Sequence, residues 1–431
     1  MKKIAFVSHG CAKNLIDTEL MLGVLSENGY DVTLDESESD VVVVNTCSFI
    51  QDAEKEAVRS ILSLVNSGKK VIIAGCLAQK YGTELKKAIP EISALVGTTD
   101  FMKLPEILKS TEYIEKVSET PDYIYPENIE RKQITIGSSS YIKIADGCNY
   151  ACGYCIIPRL RGKYHSRKIE DIIKEAQNLA DKGVSEIILI AQDTTSYGID
   201  LYGKPKLSEL LKKLNDIENL RRIRFMYAYP TQVTNELLDT IAQCDKVVKY
   251  IDIPLQHSHP EVLKRMKRPV LDYKNLIENI RNRVPNVVLR TTFIVGYPAE
   301  TDEEFQHLYD FVKKMKFDKM GVFEYSKEKG TISCGIKPQV PKKIMHERYK
   351  KLMTLQKGIS KKINERYIGE IIPCLIESAC DNGDVTARSP FDAPEVDGLV
   401  YIKTEIPVIP GEIYDVKITD CDEYDLWGVV C

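Results

Sequence analysis

The chemistry of this 431-residue sequence is concentrated in one loop that holds three cysteines, Cys148, Cys152 and Cys155, spaced C-x3-C-x2-C directly after a predicted strand. Three thiolates this close together can bind three irons of one iron–sulfur cluster, and the fourth cysteine of a ferredoxin run is missing nearby. A cluster with three protein ligands leaves one iron open to a small molecule. Three buried thiols, or a zinc site completed by His165, are the alternatives, although zinc sites prefer paired C-x2-C knuckles.

This cysteine triad resembles the signature of the radical S-adenosylmethionine superfamily, C-x3-C-x-aromatic-C, with Tyr154 in the aromatic position. The resemblance implies that the amino and carboxylate groups of S-adenosylmethionine (SAM) chelate the open iron. It also implies that SAM is cleaved reductively to a 5′-deoxyadenosyl radical, which abstracts hydrogen from an unactivated C–H. The cofactor would then supply the difficult chemistry, while the protein binds it, orients it and excludes water.

Three further cysteines, Cys11, Cys47 and Cys76, each follow a predicted strand of the first hundred residues within a few positions. Because parallel strands place their carboxyl ends on one edge of a sheet, we expect these three thiols to converge. Semi-buried structural thiols are the alternative, since cysteine is often buried, but the repeated pattern favours a second cluster. The other six cysteines show no ligand spacing and are interpreted as reduced thiols: Cys244, Cys334, Cys374, Cys380, Cys421 and Cys431.

The two cysteine sets together resemble the methylthiotransferase family within that superfamily, over nearly the whole chain. The anchors are the triad and the strings GCxxN at 10–14, NTCSF at 45–49 and GCLAQ at 75–79. The resemblance implies an N-terminal domain with cluster cysteines, a radical SAM domain, a C-terminal TRAM domain and two 4Fe-4S clusters. It also implies that one SAM methylates sulfur held at the N-terminal cluster, whereas a second SAM provides the radical that activates the target C–H.

Some polar and turn residues at predicted strand ends are candidates for cofactor contacts. Gln192 and Asp193 end the second strand of the central region, and Gly296 with Pro298 follows the fifth. Barrel active sites lie at strand C-termini, and Gly296-x-Pro298 is similar to the family's backbone turn near the adenine. Asp193 is equally well explained as the N-cap of the turn that follows it. Arg290, at the start of its strand, is a weaker candidate.

No side chain identifies itself as the group that orients the target. His257 follows a strand end and is interpreted as a solvated loop histidine rather than a proton donor. The basic residues Arg161, Lys163 and Arg167, which follow the triad, are available for an acidic substrate group.

The elements that must position these residues form three regions joined by a linker. Residues 1–99 alternate apolar β-rich runs with helices, which predicts a doubly wound parallel α/β domain. Residues 100–137 lose this rhythm and are interpreted as a linker with one short helix at 104–109. Residues 138–366 carry six predicted strands and five intervening helical stretches, which indicates an open (β/α)6 partial TIM barrel. Residues 367–431 read as about five short strands, typical of a small OB-like β-barrel.

Net charge is informative only when it is divided between these regions. The whole chain carries 59 Lys+Arg and 63 Asp+Glu, a net charge of −4, whereas residues 367–431 hold three basic and 14 acidic residues, or −11, which leaves +7 for the remainder. A nucleic-acid-binding domain needs basic residues to displace phosphate counterions, whereas an acidic domain attracts a basic protein. The family resemblance implies either transfer RNA or a ribosomal protein as substrate. Of these two, the acidic tail favours a basic small-subunit ribosomal protein docked on the implied TRAM domain and disfavours direct RNA binding. A merely solubilising acidic surface is the alternative.

Three local strings, AQDTTSYGID at 191–200, APEVDG at 393–398 and EYDLWG at 423–428, are similar to the branch of the family that modifies a ribosomal protein. That resemblance implies β-methylthiolation of one aspartate, with an electron donor such as a flavodoxin or a ferredoxin. The other hypotheses are a transfer-RNA methylthiotransferase that acts on a modified adenosine and a non-catalytic protein with structural zinc or iron–sulfur sites. Apolar runs are strand-sized and no signal segment is visible, so we expect a cytoplasmic protein without a membrane anchor, in which thiols stay reduced.

Overall fold

The computed structural model describes residues 3–48, 50–122, 125–126, 129–134, 137–380 and 383–431, so Phe49 of the NTCSF string lies outside the described residues. Its first unit is a six-stranded parallel sheet in the order β2-β1-β3-β4-β5-β6. The strands are β1 (Lys3–Ser8), β2 (Asp31–Thr33), β3 (Val41–Thr46), β4 (Lys70–Gly75), β5 (Ala94–Val96) and β6 (Ile114–Lys116). The helices are α1 (Ala12–Glu27), α2 (Gln51–Asn66), α3 (Cys76–Tyr81), α4 (Thr83–Ala88) and α5 (Leu104–Lys109).

The first sheet is covered on both faces, as its continuous apolar strands predict. Every residue of β3 is buried. Val41 and Val43 belong to one apolar cluster, and Val42 and Val44 belong to another on the opposite face. The doubly wound α/β layout is therefore confirmed.

The sheet extends beyond residue 99, into the segment that the sequence indicated as a linker. Helix α5 is the short helix expected there, but β6 was not expected and pairs in parallel with β5. Strand β6 has only three residues, of which only Ile114 is apolar. So short a polar strand carries no periodic pattern, and only its pairing with the sheet edge reveals it.

The central unit is the open partial barrel that the sequence predicts, with six parallel strands of three to eight residues. A bridge between Ile223 and Val247 joins its two three-stranded halves. The strands are β7 (Ser139–Lys143), β8 (Ala145–Asp146), β9 (His165–Ser166), β10 (Glu186–Ile190), β11 (Arg222–Phe225), β12 (Tyr250–Asp252), β13 (Val288–Val295) and β14 (Lys319–Glu324), of which β8 and β9 form a separate two-residue ladder. The helices are α6 (Ile157–Arg161), α7 (Ile169–Asp181), α8 (Ile199–Tyr202), α9 (Leu207–Asn215), α10 (Asn235–Gln243), α11 (Pro260–Arg265), α12 (Tyr273–Arg283), α13 (Asp302–Met315) and α14 (Lys342–Asn364).

Helix α1 of the first unit packs into the open barrel. Its Ile16 and Leu20 belong to the same buried cluster as Ile188, Ile190 and Tyr250 from the barrel strands. The two units therefore share a core, which fixes the N-terminal cysteines relative to the barrel.

The C-terminal unit is a closed five-stranded barrel in the order β15-β16-β17-β19-β18, which confirms the predicted small β-barrel. Its strands are β15 (Ile371–Ala379), β16 (Asp384–Arg388), β17 (Val400–Lys403), β18 (Ile413–Cys421) and β19 (Leu426–Val430). It docks against the first residues of several strands of the partial barrel. Arg388 donates to Ser139 Oγ at 2.7 Å and pairs with Glu186, while Tyr250 donates to Asp397 at 2.6 Å. The C-terminal barrel therefore lies at the end of the partial barrel opposite the cysteine triad.

None of the helices in the described ranges has both the length and the apolar character that a membrane crossing requires.

Candidate active site

The loop that carries the triad leaves the carboxyl end of the first barrel strand and is held by its backbone. Gly147 opens the loop at φ +78°, and a Cβ there would stand 1.9 Å from Lys163 O, so only glycine fits. In the middle of the loop, Gly153 N donates to Met266 O at 2.8 Å, and Ser333 N donates to Gly153 O at 2.8 Å. Neighbours on both sides therefore fix the loop at the barrel mouth.

The triad thiols lie close enough to influence one another electrostatically. Burial raises the pKa of Cys148 to about 11 and that of Cys155 to about 12, and the sulfur of Cys152 adds to both shifts. Arg268 acts in the opposite direction and favours the thiolates. Bound iron would hold these thiols deprotonated, as metal coordination does generally.

The donor set suits a cluster better than a single metal ion. Within the described ranges, no three His, Cys, Asp or Glu side chains are gathered closely enough to hold one ion. Cluster ligands bind separate irons, so they stand farther apart than the ligands of one zinc ion. His165, the fourth ligand of the zinc hypothesis, instead pairs with Asp122 at 2.6 Å.

The three N-terminal cysteines follow neighbouring parallel strands β1, β3 and β4, and they gather around Asn14. A Cβ on Gly10 would stand 3.2 Å from Cys47 Sγ, which places the Cys11 turn against that thiol. The Asn14 amide donates to the carbonyl of the residue before Cys47 at 2.9 Å. Cys76 Sγ lies 3.9 Å from Asn14 Oδ1. The sheet thus brings together three thiols that are far apart in sequence.

Cations favour ionisation of these thiols. Cys11 is exposed, whereas Cys47 and Cys76 are buried. Desolvation by nearby protein atoms opposes the Cys11 thiolate, but Lys13, Arg161 and backbone N–H groups outweigh it and lower the pKa of Cys11. At Cys76 burial prevails over Arg161 and raises the pKa. A cation-flanked thiol is the kind that serves as a metal ligand.

A buried hydrogen-bonded path, called the bridging network below, joins the N-terminal cysteines to the barrel strand ends through Asn14, Arg161, Asp146 and Gln192. The Arg161 guanidinium lies 3.7 Å from Cys76 Sγ and donates to Asn14 Oδ1 at 2.6 Å and to Asp146 Oδ2 at 3.0 Å. Gln192 donates to the other oxygen of Asp146 at 2.5 Å. The network therefore contacts Cys76 of the N-terminal set and reaches the start of the triad loop, where Gly147 N donates to Asp146 at 2.8 Å.

Ion pairs occupy two of the basic residues that the sequence offered for an acidic substrate group. Besides Asp146, Arg161 binds Asp17 at 2.6 Å, and Arg167 binds Glu175 at 2.6 Å. The expectation that both arginines are available is therefore wrong: the partner Asp17 of Arg161 comes from the first unit, and the partner Glu175 of Arg167 comes from the following helix α7. Lys163 remains exposed.

The two residues predicted at the end of the second barrel strand have different roles. Asp193 is 1% exposed and caps the following turn, accepting from Thr195 N at 2.9 Å and Ser196 N at 3.2 Å. The capping interpretation of Asp193 therefore accounts for its carboxylate without a cofactor. Gln192 Oε1 is buried and accepts no hydrogen bond from any described residue, which keeps Gln192 a candidate for a ligand contact.

The other predicted cofactor residues lie at the end of the fifth barrel strand. Gly296 has φ +72°, and a Cβ there would meet Met345 Cγ at 2.3 Å, so the turn requires glycine. Pro298 is buried in the same turn. Tyr154 packs against an apolar cluster that includes Tyr297 and Met345. The triad loop and this turn therefore adjoin one another.

Two weaker candidates have structural roles that the sequence did not show. Arg290 pairs with Asp252 at 3.0 Å and with Asp397 of the C-terminal barrel at 3.4 Å. His257 is fully buried rather than solvated, and burial holds its pKa well below the usual value. The solvated interpretation of His257 is wrong because its loop is covered by other elements, which local sequence does not reveal. Its Nε2 lies 4.0 Å from Glu300 Oε1.

Sequence comparisons match the three units in order. Residues 3–97 match the uncharacterised protein family UPF0004, 142–312 the radical SAM superfamily and 368–431 the TRAM domain. The chain is 48% identical to the ribosomal protein uS12 methylthiotransferase RimO of Microcystis aeruginosa, over 98% of each protein. It is 47% identical to the protein of the same name from a Thermoanaerobacter species, over 99% of this chain and 100% of that protein. The chain belongs to the ribosomal protein uS12 methylthiotransferase family. It is thus a radical SAM methylthiotransferase, whose superfamily implies a 4Fe-4S cluster and SAM as cofactors.

Solved structures share the fold of this methylthiotransferase. The radical SAM methyltransferase TsrM from Kitasatospora setae aligns with a TM-score of 0.56 at 14% identity, over 88% of this chain and 79% of that chain. The cobalamin-dependent radical enzyme OxsB aligns with a TM-score of 0.52 at 14% identity, over 83% and 56%. The family membership and the shared fold set aside the non-catalytic hypothesis.

Proposed function

We propose that this methylthiotransferase adds a CH3–S group to the β-carbon of an aspartate in ribosomal protein uS12, in the cytoplasm, with two SAM molecules and two 4Fe-4S clusters. The relatives' names supply the substrate. The observation that carries the proposal is the bridging network, because it holds two cysteine sets at facing strand ends with Arg161 in contact with both units. Such an arrangement lets one substrate carbon meet both centres.

The proposed roles follow the geometry of the site. The triad holds the radical cluster, and Cys11, Cys47 and Cys76 hold the second. When bound, the clusters supply one-electron chemistry and a site for the sulfur. Beside the triad, Gln192 would contact SAM through its unpartnered oxygen. Tyr154 and the Gly296–Pro298 turn would line the cofactor pocket. The Asp193 cap fixes the backbone beside Gln192. An electron donor such as flavodoxin or ferredoxin supplies the reducing equivalents.

We propose that uS12, a basic protein, docks on the acidic C-terminal barrel. Among its described residues, seven acidic ones are exposed: Glu370, Asp384, Glu395, Glu405, Glu412, Asp415 and Asp420. The barrel attaches at the starts of the strands, whereas the triad follows a strand end. A docked substrate must therefore span roughly 20 Å along the barrel to present its target residue. The working units are 1–99, 138–366 and 367–431, with the sheet continued by β6.

Iron content and single cysteine substitutions test the two-cluster assignment. Anaerobic reconstitution should load about eight irons into the wild type and about four into Cys152→Ala or Cys47→Ala. Cys152→Ala should lose SAM cleavage and keep the N-terminal cluster, whereas Cys47→Ala should keep SAM cleavage and lose methylthio transfer. Cys244→Ala, remote from both sets, is the control with full iron. Product formation by either cluster variant would refute its assigned role.

Mass spectrometry of a deletion strain tests the substrate. Loss of the gene should remove the methylthio group from uS12 and leave transfer RNA unchanged. Loss from transfer RNA with uS12 unchanged would establish the alternative substrate instead.

A further inference from the structure

Lys13 is a cation at the interface between the N-terminal cysteines and the mouth of the partial barrel. It lies two residues after Cys11, and its Nζ stands 3.8 Å from the centroid of the Tyr227 ring, just beyond the end of strand β11. The side chain is partly exposed, so a substrate can reach it from solvent.

Tyr227 holds this cation through an unusual backbone conformation. It has φ +66°, a left-handed geometry that is strained for a non-glycine residue. Its N–H donates to Asp252 Oδ2 at 3.1 Å, and its carbonyl accepts from Thr194 N at 3.1 Å. Those two bonds fix the ring beneath Lys13, where a cation–π contact restrains the ammonium without neutralising it.

Most other cations around the barrel mouth already form ion pairs with carboxylates. Lys143 and Arg161 pair with Asp146, and Arg290 pairs with Asp252. No carboxylate lies within ion-pair distance of Lys13 in the described part of the chain. Arg268 also lacks one there, but it is 8% exposed, stacks on Tyr229 and lies on the triad side of the mouth. A partly exposed lysine beside Cys11 is therefore the cation best placed for an incoming anion.

We propose that Lys13 binds the side-chain carboxylate of the target aspartate. In aspartate the carboxylate is bonded directly to the β-carbon, so fixing it fixes the carbon that gains the CH3–S group. An ammonium gives a charge-assisted hydrogen bond to a carboxylate and discriminates against a neutral amide. Orientation of this kind contributes strongly to rate. Lys13 would thereby select an acidic residue and place it between the two cysteine sets.

This inference rests on the proposed function, and a substrate–enzyme double substitution tests it. Full-length enzyme with reconstituted clusters, as wild type, Lys13→Met and Lys13→Gln, is given uS12 with either Asp or Asn at the modified position. Dissociation constants are measured by fluorescence anisotropy of labelled uS12, and kcat and KM by mass spectrometry of the product. Lys163→Met, which removes an exposed lysine of the triad region, is the matched control, and circular dichroism and iron content verify folding.

We expect the wild type to prefer the Asp substrate by roughly 10- to 100-fold in binding and KM. Lys13→Met and Lys13→Gln should reduce that preference to about twofold or less, mostly by weakening the Asp substrate, whereas Lys163→Met should retain it. Equal weakening of both substrates would show a structural role and overturn the inference, as would a wild type without preference. Loss of the preference in Lys163→Met alone would move the carboxylate site to the triad loop. A wild type that modifies neither form of uS12 would refute the proposed function itself, and the inference with it.

Discussion

Glu300 is a buried carboxyl whose protonation the fold changes. Burial raises its pKa from 4.5 to about 7, although Arg348 and backbone N–H groups oppose the shift. Its Oε2 accepts from Tyr297 N at 2.9 Å, and its Oε1 faces the buried His257 ring. The folded protein therefore holds a proton on Glu300 that the unfolded chain has already lost near pH 6.

A pH dependence of stability follows from Glu300. Since the folded state binds the extra proton between about pH 4.5 and 7, the Glu300 contribution to stability is lost as pH rises through that window. Glu300→Gln should therefore gain stability relative to wild type between pH 5 and pH 8, by up to about 3 kcal/mol. Urea denaturation of the cluster-free protein at several pH values measures the gain. The exposed Glu303→Gln should show no such trend, and a constant difference between Glu300→Gln and wild type would contradict the assignment.

Residue types and spacing were sufficient to find the cysteines, because cluster ligation needs thiolates and little else. They were insufficient for the partners of those cysteines. Asn14, Asp17 and Arg161 are buried and paired across the two units. The one local signal was that Asn14 and Asp17 stand three apart on α1, on a helix whose buried residues also include the apolar Ile16 and Leu20.

At the scale of elements, the turn before the triad decides whether the loop can form. Gly147 has φ +78°, and the carbonyl oxygen of Lys163 occupies the space that a Cβ would need. Gly147→Ala should therefore displace the triad loop and reduce reconstituted iron from about eight to about four per chain, with loss of SAM cleavage.

A second glycine, Gly183, separates the effect of the positive φ from that of the steric clash with the Lys163 carbonyl. Gly183 also has a positive φ, +91°, but nothing lies within 4 Å of its Cβ position. Gly183→Ala should cost about 1 kcal/mol of stability from backbone strain alone and keep full iron. Iron analysis and cluster absorbance measure both variants, and full iron in Gly147→Ala would show that the carbonyl moves aside.

The element pattern was predictable where segments are long and apolar. All six barrel strands and all five strands of the C-terminal barrel lie where hydrophobic runs predict them. Strand β6 was missed because its stability comes from pairing with β5 rather than from its own residues. Tertiary pairing of this kind overrides a weak local preference.

Across the whole molecule, one buried arginine joins the C-terminal barrel to the partial barrel. Arg388 is fully buried and binds Ser139, Glu186 and Glu377, the last at 2.6 Å. Removing one partner of a buried pair costs about 3–5 kcal/mol when it leaves the other charge uncompensated. Glu186 keeps a second partner, Arg224 at 2.9 Å, so Arg388→Met should destabilise the protein in urea by less than that amount and expose the region after α14 to protease.

Two further variants check the role of Arg388. Adding Glu186→Gln to Arg388→Met should cost less than Glu186→Gln costs in the wild type, since the Arg388–Glu186 pair is already broken and only the pair with Arg224 remains to be lost. Lys417→Met, an exposed substitution in the same barrel, should change neither stability nor protease sensitivity. A simple sum of the two single effects in the double variant would contradict the pairing.

The charge division between units has two causes in the structure. Some acids of the C-terminal barrel bind the basic central unit: Asp392 pairs with Lys319 at 2.5 Å and Glu423 with Lys357 at 2.9 Å. Other acids stay exposed and remain available to a basic partner. Two functions therefore account for the acidic residues of the tail: some hold the C-terminal barrel on the central unit, and others are available for the proposed binding of uS12.

The sequence by itself determined the cysteine sets, the three kinds of unit and the family, because each depends on residue types at short spacings or on periodic burial. Only the tertiary structure decided what lies between the two cysteine sets. The bridging network, the burial of His257 and the position of Lys13 over Tyr227 all depend on contacts between segments tens to hundreds of residues apart. The physical reason is that burial and ion pairing are properties of a packed neighbourhood, and local sequence does not specify which neighbours arrive.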